Sequence, residues 1–286
     1  RDLKLTVQGA DLARAPQVDV TLDGDVAGKP AKGGVKLSKA DEVLRVENLD
    51  VTIGSVQAKG AFASQGGGFD GQIALKARDL DDVSALALTP LGGDLDAAVA
   101  LRQDNGQTVT VKATSQRLRA DKIALDGLLA DLVIRDAFRK PLVSGAARLA
   151  RASQGAKDLA SNIRFNAAPD GAMTLAGRAQ GFDIDAAGRL VEGAQATRLD
   201  LSKLEARKGR DRIALAQPGA VILSDGRVDL ERIVLALGAG RLALSGRVSP
   251  TLDLAADARA VPLSIAEIAA PGLGLQGTLD ARAQIA

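Results

Sequence analysis

The sequence predicts an all-β fold with a few short helices, its strands mostly antiparallel. Three observations predict it. Apolar and polar residues alternate with period two from end to end, glycine-bearing turn dipeptides separate the alternating runs, and one strand-rich segment recurs later in the chain.

Val18, Val20 and Leu22 alternate with Asp19, Thr21 and Asp23. Ile73, Leu75 and Ala77 alternate with Gln72, Ala74 and Lys76, and Leu95, Ala97, Val99 and Leu101 stand opposite Asp94, Asp96 and Arg102. Val109 and Val111 follow between Thr108, Thr110 and Lys112. Late in the chain Ile233, Leu235 and Leu237 run into Gly238-Ala239-Gly240, after which Leu242 and Leu244 alternate with Arg241, Ala243 and Ser245. Each run is a half-buried strand by pattern, with one apolar and one polar face. Asp23-Gly24, Gly33-Gly34, Gly66-Gly67-Gly68, Asn105-Gly106, Asp170-Gly171 and Asp225-Gly226 supply the positive φ that tight hairpin turns need, so an antiparallel meander is the economical arrangement. Both faces are apolar over Leu128–Ile134, and residues 137–160 fit neither period.

Two short stretches are spaced as helices instead. Leu80, Val83 and Leu86-Ala87 share one helical face ended by Pro90, and Leu263, Ile265-Ala266 and Ala269-Ala270 share another between Pro262 and Pro271. These helices belong to an internal repeat, residues 47–101 against 231–285, at an offset of 184. Glu47-Asn48-Leu49-Asp50-Val51-Thr52-Ile53-Gly54 answers Glu231-Arg232-Ile233-Val234-Leu235-Ala236-Leu237-Gly238. With small slips, Lys59-Gly60 answers Ser245-Gly246, Ala77-Arg78 answers Ala258-Arg259, and Gly93-Asp94-Leu95-Asp96-Ala97 answers Gly277-Thr278-Leu279-Asp280-Ala281. A strand-dominated repeat predicts units that extend one another's sheet, hence one continuous segment over 1–286.

Composition narrows the function. Among the 286 residues there is no His, Cys, Trp or Tyr and only five Phe. That removes Ser-His-Asp and Cys-His catalysis, thiolate nucleophiles, disulfides and ordinary zinc sites. General acid-base work falls to Asp, Glu and Lys, and the sequence points to no enzyme, cofactor or metal. With 37 basic against 35 acidic residues and hardly any stacking rings, there is no case for nucleic acid. No run of about 18 uninterrupted apolar residues is present to span a bilayer as a helix. The chain lacks a signal pattern at Arg1–Leu12 and is expected to be an internal segment whose export signal or anchor lies outside it.

Several sharper motifs dissolve on inspection. Gly272-Leu273-Gly274-Leu275-Gln276-Gly277 fits G-x-G-x-x-G, but a helix-like stretch precedes it and an alternating one follows, the reverse of a dinucleotide site. Gly238-Ala239-Gly240 is likewise followed by a strand. Asp183, Asp185, Gly188 and Glu192 fail as a calcium loop because Ala187 and Ala194 hold ligand positions. Asp81 and Asp82 are better placed to favour a helix start than to form an acid-base pair. Arg207-Lys208-Gly209-Arg210-Asp211-Arg212 is a solvated turn, with phospholipid headgroup contact the sharper alternative.

The order of elements in Leu230–Gly246, then Leu252-Asp253-Leu254, Val261-Pro262-Leu263-Ser264, a short helix and Leu275-Gln276-Gly277-Thr278-Leu279 resembles the TamB family, the inner-membrane-anchored component of the translocation and assembly module of Gram-negative bacteria, and more loosely AsmA-like proteins. A second copy around Asp79–Leu101 shares the order, departing where Asp81 and Asp82 stand in place of Pro262 and Leu263. The resemblance implies a long sheet curled into an open β-groove, apolar inside and polar outside. It implies a periplasmic location, a role in carrying phospholipid between inner and outer membranes, and an outer-membrane partner of the barrel-assembly type. An aliphatic interior suits acyl chains, which need dispersion contacts and no hydrogen bonds. The candidate groove residues are Val18, Val20, Leu22, Ile73, Leu75, Val99, Leu101, Val109, Val111, Ile233, Leu235, Leu237, Leu242 and Leu244. The competing expectation is an assembly scaffold that offers an edge strand to nascent outer-membrane proteins by β-augmentation. A surface β-solenoid ranks lower, since its coil period is about 20 residues, and a transmembrane barrel would need aromatic girdles.

Overall fold

The computed structural model describes residues 4–10, 16–104, 106–139, 141–193, 196–224, 226–265 and 274–285. The protein is all-β, and every strand pairing described below is antiparallel. The chain divides into two compact units, Arg1–Ser161 and Asn162–Ala286.

In the first unit β1 (Lys4–Ala10), β2 (Gln17–Val26), β3 (Lys29–Ala40), β4 (Val43–Ile53), β5 (Val56–Gln65) and β6 (Gly68–Ala77) pair in chain order. A helical insert follows, a 3-10 turn Leu80–Val83 running into one α-turn Ser84–Ala87, where the helical spacing predicted it. After it come β7 (Leu91–Gly93), β8 (Leu95–Gln103), β9 (Gln107–Ala120), β10 (Ile123–Arg135) and β11 (Leu142–Gln154). β8 pairs with β6 and β9, β7 joins the end of β9, and β10 lies between β9 and β11. β12 (Lys157–Ala167) contains the division between the units.

The second unit continues with β13 (Ala172–Ala179), β14 (Phe182–Glu192), β15 (Thr197–Lys208), β16 (Asp211–Leu215), β17 (Gly219–Ser224), β18 (Arg227–Leu237), β19 (Gly240–Ser249), β20 (Asp253–Pro262) and β21 (Thr278–Ile285). β16 and β17 share the gap between β15 and β18, one along each half of both neighbours. The remaining strands pair in chain order. Of the predicted second helix, Leu263–Ile265 forms a 3-10 turn and the rest lies outside the described residues.

Two predicted turns are corrected. Asp23-Gly24 lies inside β2 and Gly33-Gly34 inside β3, with the true turn at Ala27-Gly28. A Cβ on Gly33 would stand 2.1 Å from the Asp50 carbonyl oxygen, and the register shifts between Gly34 and Lys36. The glycine therefore lets two strands approach at a bulge. Residues 142–154, which fitted neither period, form β11 because alanine on both faces blurs the alternation without preventing the pairing.

The first unit curls about its apolar face. The Gln107 side chain, only 4% exposed, accepts from the Phe69 backbone N–H at 2.7 Å and donates to the Phe69 carbonyl at 2.9 Å. A flat sheet would put β6 and β9, two strands apart, about 10 Å from each other. Phe69 also meets Phe62 and Phe138 edge-on, at centroid distances of 6.5 and 6.1 Å.

At the other ends of these strands the helical insert packs down. Leu80 joins Val56 and Ala77, with Leu75, Val83, Leu91, Leu95 and Leu118 around them. Carboxylates fix it. Asp79 accepts from the Asp81 and Gly93 backbone N–H groups, both at 3.1 Å. Asp82 accepts from the Ser55 backbone N–H at 2.6 Å and binds Lys29 Nζ at 2.7 Å. Asp94 accepts from the Gln116 and Arg117 N–H groups at 2.8 Å, tying the start of β8 to β9.

Candidate functional site

The register gathers the groove candidates onto one face within each unit. Across the first unit Val18 faces Leu37, Leu37 faces Val46, Val46 faces Phe62, and Phe62 faces Gly71. The row continues through Leu101, Val109, Ile134 and Val143. A parallel row joins Ile73, Val99, Val111 and Leu132. Val20, Leu22 and Leu75 lie on the same face by alternation. All nine candidates of this unit thus share one apolar face. In the second unit Ile213 faces Leu237, Leu215 faces Leu235, Leu235 faces Leu242, and Ile233 faces Leu244. Leu242 and Leu244 then face Ala258 and Ala256.

Pattern alone missed several residues of these faces. Leu128, Ala130, Leu132 and Ile134 turn to the shared face and Leu129 turns away, a choice made by pairing with β9. Phe62, Gln107, Leu199 and Leu201 also join. The Gln107 side of the signal was hidden, because a glutamine at a hairpin end looks solvent-bound until its backbone partners are known.

The opposite face is polar and carries cross-strand ion pairs. Asp50 pairs with Lys59 at 3.0 Å, Lys76 with Asp96 at 3.8 Å and Lys112 with Asp131 at 3.6 Å. In the second unit Arg178 pairs with Asp183 at 2.8 Å, Lys203 with Asp185, and Arg198 with both Asp200 and Glu231. These are exposed pairs of modest worth that specify which face meets water. Asp183 and Asp185, weighed above as a calcium loop, are consumed this way. Asp82 belongs to the insert's anchorage, where the Lys29 ammonium and then the Ser55 N–H hold its carboxyl down to about 2. The Gly238-Ala239-Gly240 run is the tight turn from β18 to β19.

Most of the candidate residues are half covered, whereas Ile233 and Leu237, at 6% and 3% exposed, are buried. No large side chain among the described residues is fully buried. The accessible surface is 17433 Å², against about 11,500 Å² for a compact protein of this mass. The excess is several times what two domains ordinarily cover between them, so it belongs to the units themselves. Within the apolar face of the first unit, Ser115 is 5% exposed and its hydroxyl has no hydrogen-bond partner.

Among the described residues no group of His, Cys, Asp and Glu could hold a metal, and no helix is long and apolar enough to cross a membrane. No protein-family model, no curated protein and no solved structure matches the chain.

Proposed function

We propose that this chain is a non-enzymatic lipid-carrying segment whose apolar strand faces accommodate phospholipid acyl chains. The observation that supports this most directly is a largely aliphatic face that continues through the register of many strands and, outside the buried Ile233 and Leu237, stays half exposed. A sealed core would bury these residues, and a soluble surface would not line up so much apolar area on one side. Acyl chains ask for dispersion contact and no hydrogen bonds, which is what Leu, Val, Ile and Ala offer. The resemblance to TamB-like proteins extends the proposal to a periplasmic conduit between inner and outer membranes, working with a barrel-assembly-type partner.

Native mass spectrometry of the purified chain with lipid extraction tests it. Co-purifying phospholipid should fall several-fold in Val99→Asp for the first unit and in Leu235→Asp for the second, with circular dichroism unchanged. Folded variants with undiminished lipid would overturn the reading, as would global unfolding of both, which would mark sealed core.

A further inference from the structure

We infer that the tip of the β15–β16 hairpin is an anionic headgroup site at the lip of the second unit's apolar face, where Lys208 engages a phosphate. This rests on the acyl-chain reading above and adds what holds the polar end of the lipid.

The register places Lys208 on the apolar side. Ala206 faces both Ile184 and Ile213, and Lys208 stands two positions further along the same strand, facing Asp211. The neighbouring strand cations Arg178, Arg189, Arg198, Lys203, Arg207 and Arg212 lie on the polar face instead. The Lys208 stem lies across Gly181, where a Cβ would stand 3.5 Å from Cε. Its ammonium sits 5.3 Å from the centroid of the Phe182 ring, itself 8% exposed. The exposed ammonium is thus placed over the first apolar residue of β14 while remaining open to a ligand from solvent.

The surroundings favour an anion. Arg207 and Arg212, on the polar side, both bind the Glu205 carboxylate, at 2.6 and 2.5 Å, so one acid serves two guanidiniums. Arg210 stands exposed at the tip. The stretch Glu205–Arg212 holds four cations and two carboxylates. The first unit differs: Lys29, beside the β2–β3 turn at the start of β3, is taken up by Asp82. An ammonium with three rotatable donors suits a phosphate whose acyl chains descend past Phe182 onto the half-buried Ile184 and Ile213.

Titration of the whole chain with short-chain phosphatidylglycerol, with diacylglycerol of the same chains and with inorganic phosphate tests this. Wild type should bind phosphatidylglycerol about fivefold more tightly than diacylglycerol, the effect of one cation near a lipid surface. Lys208→Gln should remove that preference and leave diacylglycerol affinity intact, Lys208→Arg should keep it, and Lys203→Gln on the polar face should change nothing. A preference that survives Lys208→Gln overturns the site. Inorganic phosphate that displaces phosphatidylglycerol while diacylglycerol fails to bind makes this a free-phosphate site and overturns the lipid assignment. Failure of both lipids to bind defeats the acyl-chain reading itself.

Discussion

The two repeat copies share a strand plan and differ in what closes it. In β4 the register slips between Val46 and Leu49, and in β18 between Leu230 and Ile233, the same place at the repeat offset. Both strands end in a glycine turn, Gly54 at φ +58 and Gly238 at φ +60. Both returning hairpins bury an alanine, Ala77 and Ala258. There the copies part. In the first, Asp79 ends the strand and caps the helical insert, whose Leu80 and Val83 cover the strand ends. In the second, Ala260 takes a left-handed conformation at a bulge, donates to Asp280 Oδ1 at 2.9 Å, and the strand runs on to Pro262. The following strand differs as well. β8 lies between β6 and β9 and is half-buried, whereas β21 pairs with β20 and stays exposed. A local sequence pattern repeats faithfully, while capping carboxylates and neighbouring strands decide how much of it leaves water.

The largest expected effect breaks the first copy alone. Leu80→Asp puts an unpaired carboxylate among Val56, Ala77 and Leu95 and should cost at least about 3 kcal/mol in urea unfolding. Leu263→Asp, half-buried in the second copy, should cost under about 1.5 kcal/mol. Equal losses would mean that the insert does not distinguish the copies.

A matched glycine pair sharpens the contrast. Gly93, at φ +87, would place a Cβ 1.6 Å from the Arg117 carbonyl oxygen, whereas Gly277, at φ +101, has open space. Gly277→Ala should carry only backbone strain, about 1 kcal/mol, and Gly93→Ala should exceed it by about 1 to 2 kcal/mol as β7 is pushed off β9. Thermal melts of the two variants compare them directly.

The smallest effect concerns Asp82. Its carboxyl is held at about 2, below the ordinary 3.8, chiefly by the Lys29 side chain and then by the Ser55 N–H. A depressed folded value stabilises the fold above the ordinary one and is lost as pH falls through the folded one. Asp82→Asn should therefore melt below wild type at pH 7, with the gap closing between about pH 4 and pH 2. A gap that is constant with pH would remove the ionised latch from the account.

Much of this was legible in the residues. Within each strand the fourteen apolar candidates fall on one side because period two is a property of a single strand, while the register joins those sides into one face within each unit. The first helical insert was legible because Leu80, Val83 and Leu86 carry their own spacing and Pro90 stops it. The hairpin glycines were only half legible: Gly66 turns the chain, but Gly33 makes room for Asp50, and a dipeptide cannot reveal which strand will lie beside it. Lys208 stood in a visibly basic run, yet its place on the apolar side depends on facing Asp211 across a turn and lying over Phe182 of another hairpin.

By itself, then, the sequence determined that the chain forms antiparallel strands, each with one aliphatic and one charged side, and that this plan occurs twice. Local alternation and turn chemistry suffice for that. Only the tertiary structure decided which side of β10 faces inward, that residues 142–154 join as a strand, that Gln107 is buried against Phe69, and that the aliphatic faces stay half open. These depend on register between strands far apart in sequence, and on how far each sheet curls before its side chains meet.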